Sequence, residues 1–202
     1  MPESRPPGAG EDSAWVSVAT PLPPDALLAL LRDPQRLMRV NPLWVFESWD
    51  AAGPDAVRFR INNQSNGQVW ETAARVVPLP DGLRLNYAEG IKAWTLFRVE
   101  PAETGSRLWI VEDYGRLAEA EREASVAEVD RSLTAWGGAL YRHLRAWSRW
   151  SSFGPWRWYV EQHWLRMKPL SRRIVRLLFW VSVAELALFA LLIAILVTER
   201  AR

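Results

Sequence analysis

The sequence predicts an α+β domain followed by a single membrane-spanning helix. Three observations carry that reading. Strand-like runs recur at short, regular spacing between residues 44 and 114, an apolar stripe of helical period extends from 126 to 147, and the chain is apolar almost without interruption from Leu177 to Val197.

Residues 1–13 (MPESRPPGAGEDS) are polar and rich in Pro and Gly, lack the apolar centre of a signal peptide, and read as a disordered lead-in. Residues 15–20 (WVSVAT) alternate as a strand does. PLPPDALLALLRDPQRLMRV then gives two short helices. Leu27, Leu28, Leu30 and Leu31 supply an apolar face, and Asp33-Pro34 breaks and restarts the helix. Six more strands are expected at 44–50, 56–62, 68–78, 83–88, 92–100 and 106–114. Gly53-Pro54, Asn66-Gly67, Asp81-Gly82, Glu89-Gly90 and Thr104-Gly105 punctuate them as hairpin turns. Val57, Phe59 and Ile61 alternate with Arg58 and Arg60, as one dry and one wet face require, and Trp70, Thr72, Ala74 and Val76 do likewise. A long helix over about 119–149 closes the domain. Its stripe is Val126, Val129, Leu133, Trp136, Leu140, Leu144 and Trp147.

Charge is unevenly placed. Residues 1–150 hold 17 Lys/Arg against 20 Asp/Glu, and residues 151–202 hold 8 against 3. The basic excess therefore belongs to the tail, where it suits anionic lipid headgroups rather than nucleic acid, and no nucleic-acid partner is expected. The chain has no cysteine, which excludes disulfides, thiolate metal sites and cysteine nucleophiles.

Leu177–Val197 (LLFWVSVAELALFALLIAILV) is 21 residues with one charge, enough to cross a hydrocarbon core of about 30 Å. Arg166, Lys168, Arg172, Arg173 and Arg176 precede it, whereas only Arg200 and Arg202 follow. That excess predicts a single-pass protein with a cytoplasmic N-terminal domain. Glu185 lies near mid-span and shares a face with Ser182, an arrangement that suits contact with another transmembrane helix. Ahead of the span Trp147, Trp150, Trp156, Trp158 and Trp164, and just inside it Trp180, form a collar of the kind found at headgroup level. Residues 155–168 read as an amphipathic helix, ended by Pro169, that lies on the membrane or packs against the globular domain, the two not being exclusive, with Trp156, Trp158, Trp164, Trp180 and Glu185 as the membrane-contacting set. The chain thus divides into a lead-in (1–13), a folded domain (14–150), an amphipathic linker (151–170), and a transmembrane helix with a short tail (171–202).

Strand, two small helices, six strands and one long helix is an order that resembles the helix-grip fold of the SRPBCC superfamily, which includes START lipid-transfer domains, birch-pollen-allergen-like proteins and polyketide cyclases. The residues carrying the likeness are WVSVATPLPPDALLALLRDPQRLMRVNP at 15–42, the hairpin series and the final helix, together roughly 14–150. Some members, among them one associated with carbon monoxide dehydrogenase, also resemble this chain in having a C-terminal membrane anchor. The resemblance implies a curved antiparallel sheet of about seven strands around the long C-terminal helix, with an internal apolar cavity.

Gly137-Gly138 sit mid-helix, where each glycine costs about 1 kcal/mol against alanine. Gly137 flanks the apolar stripe, so its missing side chain is expected to leave volume for a ligand, with close packing against a bulky strand residue or a simple kink as the alternatives. The candidate cavity lining is Phe59, Ile61, Trp70, Thr72, Leu85, Tyr87, Phe97, Ile110, Leu133, Trp136, Gly137 and Leu140. Tyr87, Thr72, Asn41 and Tyr114 are the candidate polar handles.

Catalytic signals are thin. His143 and His163 both fall in the C-terminal helical region, and no metal-ligand spacing, phosphate loop or nucleophile elbow appears, so no catalytic residue, metal or cofactor is assigned. Glu112 and Asp113, as strand neighbours, point to opposite faces and form no acid–base pair. Three function classes stay open. One is a membrane-anchored binding or transfer module for a hydrophobic small molecule such as a lipid, isoprenoid or quinone. The others are an accessory subunit docked through the transmembrane helix, and an enzyme of the cyclase or aromatase type.

Overall fold

The computed structural model describes residues 6, 8–10, 12–116 and 119–200, with side chains described throughout except at 119–131. Residues 1–5, 7 and 11 of the expected lead-in, and the side chains of Val126 and Val129, lie outside that description. Two compact units are present, Met1–Arg166 and Met167–Arg202.

In the first unit the elements run β1 (Ser13–Thr20), α1 (Pro24–Leu31), α2 (Pro34–Arg39), β2 (Trp44–Gly53), β3 (Ala56–Asn63), β4 (Val69–Leu79), β5 (Gly82–Tyr87), β6 (Trp94–Ala102), β7 (Gly105–Asp113), α3 (Glu119–Trp150) and α4 (Gly154–Gln162), then a 3₁₀ turn at Trp164–Arg166. Every expected strand is present within a few residues. One seven-stranded sheet results, in the order β1-β7-β6-β5-β4-β3-β2, antiparallel throughout. Consecutive strands pair as hairpins, and β1 closes onto β7. The element order and strand order are those of a helix-grip α+β fold, as expected.

Alternation decides which face is dry. Phe59, Ile61, Thr72, Ala74, Leu83, Leu85, Tyr87, Thr95, Phe97, Leu108 and Ile110 are buried on the inner face. On β3 to β5 they alternate with the exposed Arg58, Arg60, Glu71, Arg75 and Arg84. Arg60 bridges Glu47 and Glu71 on the two neighbouring strands, each at 2.7 Å, and so ties the wet face across β2, β3 and β4. The edge strand β2 carries register shifts between Phe46 and Ser48 and again between Ala51 and Gly53.

Leu133, Trp136, Leu140, Leu144 and Trp147 of α3 are buried at the spacing read from the sequence. The Trp136 indole donates to the Leu37 carbonyl at 3.0 Å, tying α3 to α2. α1 and α2 add Leu27, Leu30, Leu31, Leu37 and Met38 to the same core. Each such fully buried aliphatic side chain contributes roughly 1.5–3 kcal/mol.

Two boundaries differ from expectation. The amphipathic helix expected over 155–168 ends at Gln162, and the first unit continues through the 3₁₀ turn to Arg166. Val160 and Leu165 are buried in the domain core, with Trp156, Tyr159 and Trp164 packed against it. Pro169 does not end that helix; it opens the next one, where its fixed φ is already helical and its missing N–H is not needed. In the second unit, α5 spans Pro169–Arg200, 32 residues, and is long and apolar enough to cross a membrane.

Candidate functional site

The inner face of the sheet is the candidate site, and its middle is built from rings. Trp70 and Tyr87 face each other across β4 and β5 with centroids 4.8 Å apart, and Phe59 meets Trp70 edge-on at 5.1 Å. Trp44 joins Trp70 at 6.3 Å and Trp136 at 5.0 Å, and Phe97 meets Trp136 at 5.7 Å. Edge-to-face pairs of this kind favour a fixed arrangement over a fluid one. The structure therefore brings the expected lining residues of β3 to β7 and of α3 together in one apolar interior.

Gly137 does not open volume there. A β-carbon at that position would stand 2.6 Å from Cγ2 of Val16, so the glycine lets β1 press directly against α3. The volume expected at Gly137 is therefore absent, because the side chain of Val16 takes the space.

Hollow space of ligand size lies farther along the same face. Val57, Val76 and Leu83 continue the inner rows of Phe59, Ala74 and Leu85 toward the ends of their strands. Together with Leu28 and Leu31 of α1 and Trp49 of β2 they line a groove of about 690 Å³. Trp49 stacks on Phe59 at 5.3 Å, with an interplanar angle of 11°, so the groove meets the ring cluster at that point. The volume falls within the roughly 300–1,000 Å³ of small-molecule sites, and the lining mixes these apolar side chains with the charged Arg32, Asp33 and Asp55. Phe59 lay in the expected cavity set, but none of that set lines the groove itself. The strands were legible, but where α1 stops covering the sheet was not.

The opposite end of the inner face is polar. Lys92, in the turn before β6, reaches Oε1 of Glu112 on β7 at 2.5 Å, and the Tyr114 hydroxyl donates to Oε2 at 2.6 Å. Glu112 is 1% exposed and Lys92 8%. The ammonium also lies 4.9 Å from the Trp44 ring centre, 5.6 Å from Trp70 and 5.7 Å from Tyr114. Such rings stabilise a cation that water no longer reaches. Both oxygens of Glu112 are thus engaged, which makes this a closed ion-pair network rather than a free general base.

Nearby, Tyr87 donates to Oγ1 of Thr95 at 2.8 Å, and burial pushes its phenol well above the ordinary tyrosine range, keeping it protonated. Thr72 holds the Glu89 backbone from both sides, donating to its carbonyl at 3.0 Å and accepting from its N–H at 3.1 Å. Gly90 follows at φ +106°, and a β-carbon there would meet the Trp70 indole nitrogen at 2.5 Å, so the turn requires glycine. Arg116 closes this end by donating to the carbonyls of Tyr87 at 2.6 Å and Lys92 at 3.3 Å. Asn41 is fully buried; its Oδ1 accepts from the Leu43 N–H at 2.9 Å, while Nδ2 has no partner among the described residues.

Of the expected polar handles, Tyr87, Thr72, Asn41 and Tyr114 are therefore all buried. Lys92 was missed. One signal was available, since Lys92 and Lys168 are the only lysines in a chain that otherwise uses arginine for its cations. Asp113 is half-buried beside the closed pair, as its strand position requires. Among the described residues no group of His, Asp or Glu is arranged to hold a metal ion.

The expected membrane-contacting residues fall into three settings. Trp156 is half-buried, 5.6 Å from the Trp147 ring, and Trp164 packs on the domain core. Trp158 is exposed at 59%, with His163 4.8 Å away. In the second unit, Trp180 and Glu185 are exposed on α5.

No family model and no curated protein matches the chain. Solved structures do align with it at low identity. Protein Ms6760 from Mycobacterium smegmatis is 12% identical, with a TM-score of 0.47 over 66% of this chain and 90% of its own. The di-domain ARO/CYC BexL from the BE-7585A biosynthetic pathway is 18% identical, with a TM-score of 0.46 over 63% of this chain and 46% of its own. An AHSA1-like protein from Aeromonas hydrophila is 10% identical, with a TM-score of 0.41 over 63% and 93%. Likeness at this level concerns the shape of the domain and says nothing of its ligand.

Proposed function

We propose that this chain is a membrane-anchored binding module that takes up a hydrophobic small molecule, of the lipid, isoprenoid or quinone class. The observation that carries the reading is the groove of about 690 Å³ at the end of the concave sheet face, whose inner wall is apolar and whose lining also holds Arg32, Asp33 and Asp55. Its walls offer Leu28, Leu31, Val57, Val76 and Leu83, which suit an acyl or prenyl chain better than a polar substrate. The anchor in this reading is α5, with its interfacial cations ahead of the span and the domain cytoplasmic. Only Met167 and Lys168 separate the 3₁₀ turn from that helix.

The test is organic extraction and mass spectrometry of full-length protein purified in detergent, beside the variant Val57→Trp, which fills the groove. A lipophilic compound present in the parent and depleted at least about tenfold in the variant supports the reading. Lipid bound around α5 is common to both proteins and cancels. Identical extracts from the two would remove the groove as a ligand site.

A second reading rests on Glu185, a carboxylate exposed halfway along an apolar helix. Such a residue suits a partner helix in the bilayer, and in that case the chain also serves as a docked subunit.

A further inference from the structure

A second hollow, of about 400 Å³, lies on the far side of Asp33 from the groove and differs from it in chemistry. Arg36 and Arg39 of α2 and Arg166 of the 3₁₀ turn converge on it, against the carboxylates of Asp33 and Glu161. Asp33 is already engaged, its Oδ1 accepting from the Arg36 backbone N–H at 3.2 Å as the cap of α2. Glu161 is engaged too, 3.3 Å from Nη1 of Arg36.

Arg36 is the informative residue. Its side chain is only 10% exposed, and its guanidinium lies 3.7 Å from the centre of the Trp147 ring, so one face is covered by indole. Glu161 takes one donor at the rim. Nε and Nη2 have no acceptor among the described residues. Buried donors without acceptors are rare in folded proteins, and here they belong to a side chain that lines the hollow. A guanidinium presents five N–H donors in a fixed fork, a geometry that matches an oxyanion.

The surroundings repeat the demand. Burial lowers the Arg36 pKa, with Glu161 and Asp33 only partly opposing it. Burial also lowers that of Arg39, and the neighbouring charge of Arg166 lowers it further, with Asp33 partly opposing both. Like charges held together in a half-closed hollow are stabilised by an anion placed between them.

We propose that Arg36, Arg39 and Arg166 form a binding site for a phosphate-type oxyanion, held beside Glu161 at the junction of α2 with the segment after α4. The hollow exceeds a bare phosphate, so the ion can be free or carried as the phosphomonoester headgroup of a lipid. This inference does not depend on what the apolar groove holds.

Full-length protein in non-ionic detergent and phosphate-free buffer is titrated calorimetrically with inorganic phosphate, dioctanoyl phosphatidic acid and dioctanoyl phosphatidylcholine. Arg39→Gln and Arg166→Gln are titrated in parallel, and circular dichroism shows that each keeps its fold. Neither substitution disturbs the buried stack of Arg36 on Trp147. Saturable phosphate or phosphatidic acid binding, weakened at least about tenfold by each variant, supports the site. Phosphatidic acid binding about tenfold tighter than phosphate assigns a lipid headgroup, and equal affinities assign the free ion. The proposal is overturned if neither anion binds saturably, if the variants bind like the parent, or if phosphatidylcholine matches phosphatidic acid.

Discussion

Both carboxylate oxygens of Glu112 are occupied, one by the Lys92 ammonium and the other by the Tyr114 hydroxyl, in a place water barely reaches. Removing the carboxylate deletes two contacts and strands a buried cation. Glu112→Ala is expected to cost about 3–5 kcal/mol in urea unfolding of the full chain. Replacing both charges, as Lys92→Met with Glu112→Leu, should recover most of that loss, because a buried pair and its apolar substitute are close in stability. A single-variant cost below about 1 kcal/mol would mean that water reaches the pair and screens it. This network was not legible in the sequence. Its members are 20 residues apart, and what unites them is the register that sets Thr95 opposite Glu112 while Lys92 stays in the preceding turn. Alternation did show that Glu112 and Asp113 face opposite ways, but not which of the two goes inside.

At the scale of elements, α3 approaches β1 through a contact that only hydrogen permits. An alanine at position 137 would improve intrinsic helix stability by about 1 kcal/mol. Its β-carbon would stand 2.6 Å from Val16, whose β-branched side chain has little rotamer freedom with which to yield. Gly137→Ala is therefore expected to destabilise the domain by about 1–3 kcal/mol, and Val16→Ala in the same chain to restore much of it. Gly137→Ala that stabilises the parent by itself would show that the two elements do not meet so closely. The glycine pair was visible in the sequence, but the hollow expected from it gives way to a close approach. Local pattern cannot decide between them, since the deciding atom belongs to a strand more than a hundred residues away. The seven strands were legible for the opposite reason, each hairpin being written in adjacent residues such as Asn66-Gly67 and Asp81-Gly82. Pro169 misled because a proline marks the end of one helix and the beginning of another equally well.

For the whole molecule, the division after Arg166 separates a domain with its own core from a helix whose side chains are largely exposed. In membranes, the full chain is expected to remain in the pellet through an alkaline carbonate wash, and a chain ending at Arg166 to move to the supernatant. Release of the full chain by carbonate would show that α5 does not span. If α5 spans as proposed, copies are confined to two dimensions and their sheets meet more often. An open sheet presents unpaired amides along its outermost strand, and a straight one would recruit a neighbour into a growing ribbon. The two register shifts in β2 break that row twice within ten residues. The β2 edge is thereby denied the regular template from which fibrils start, while the other edge, β1, is a shorter strand of eight residues.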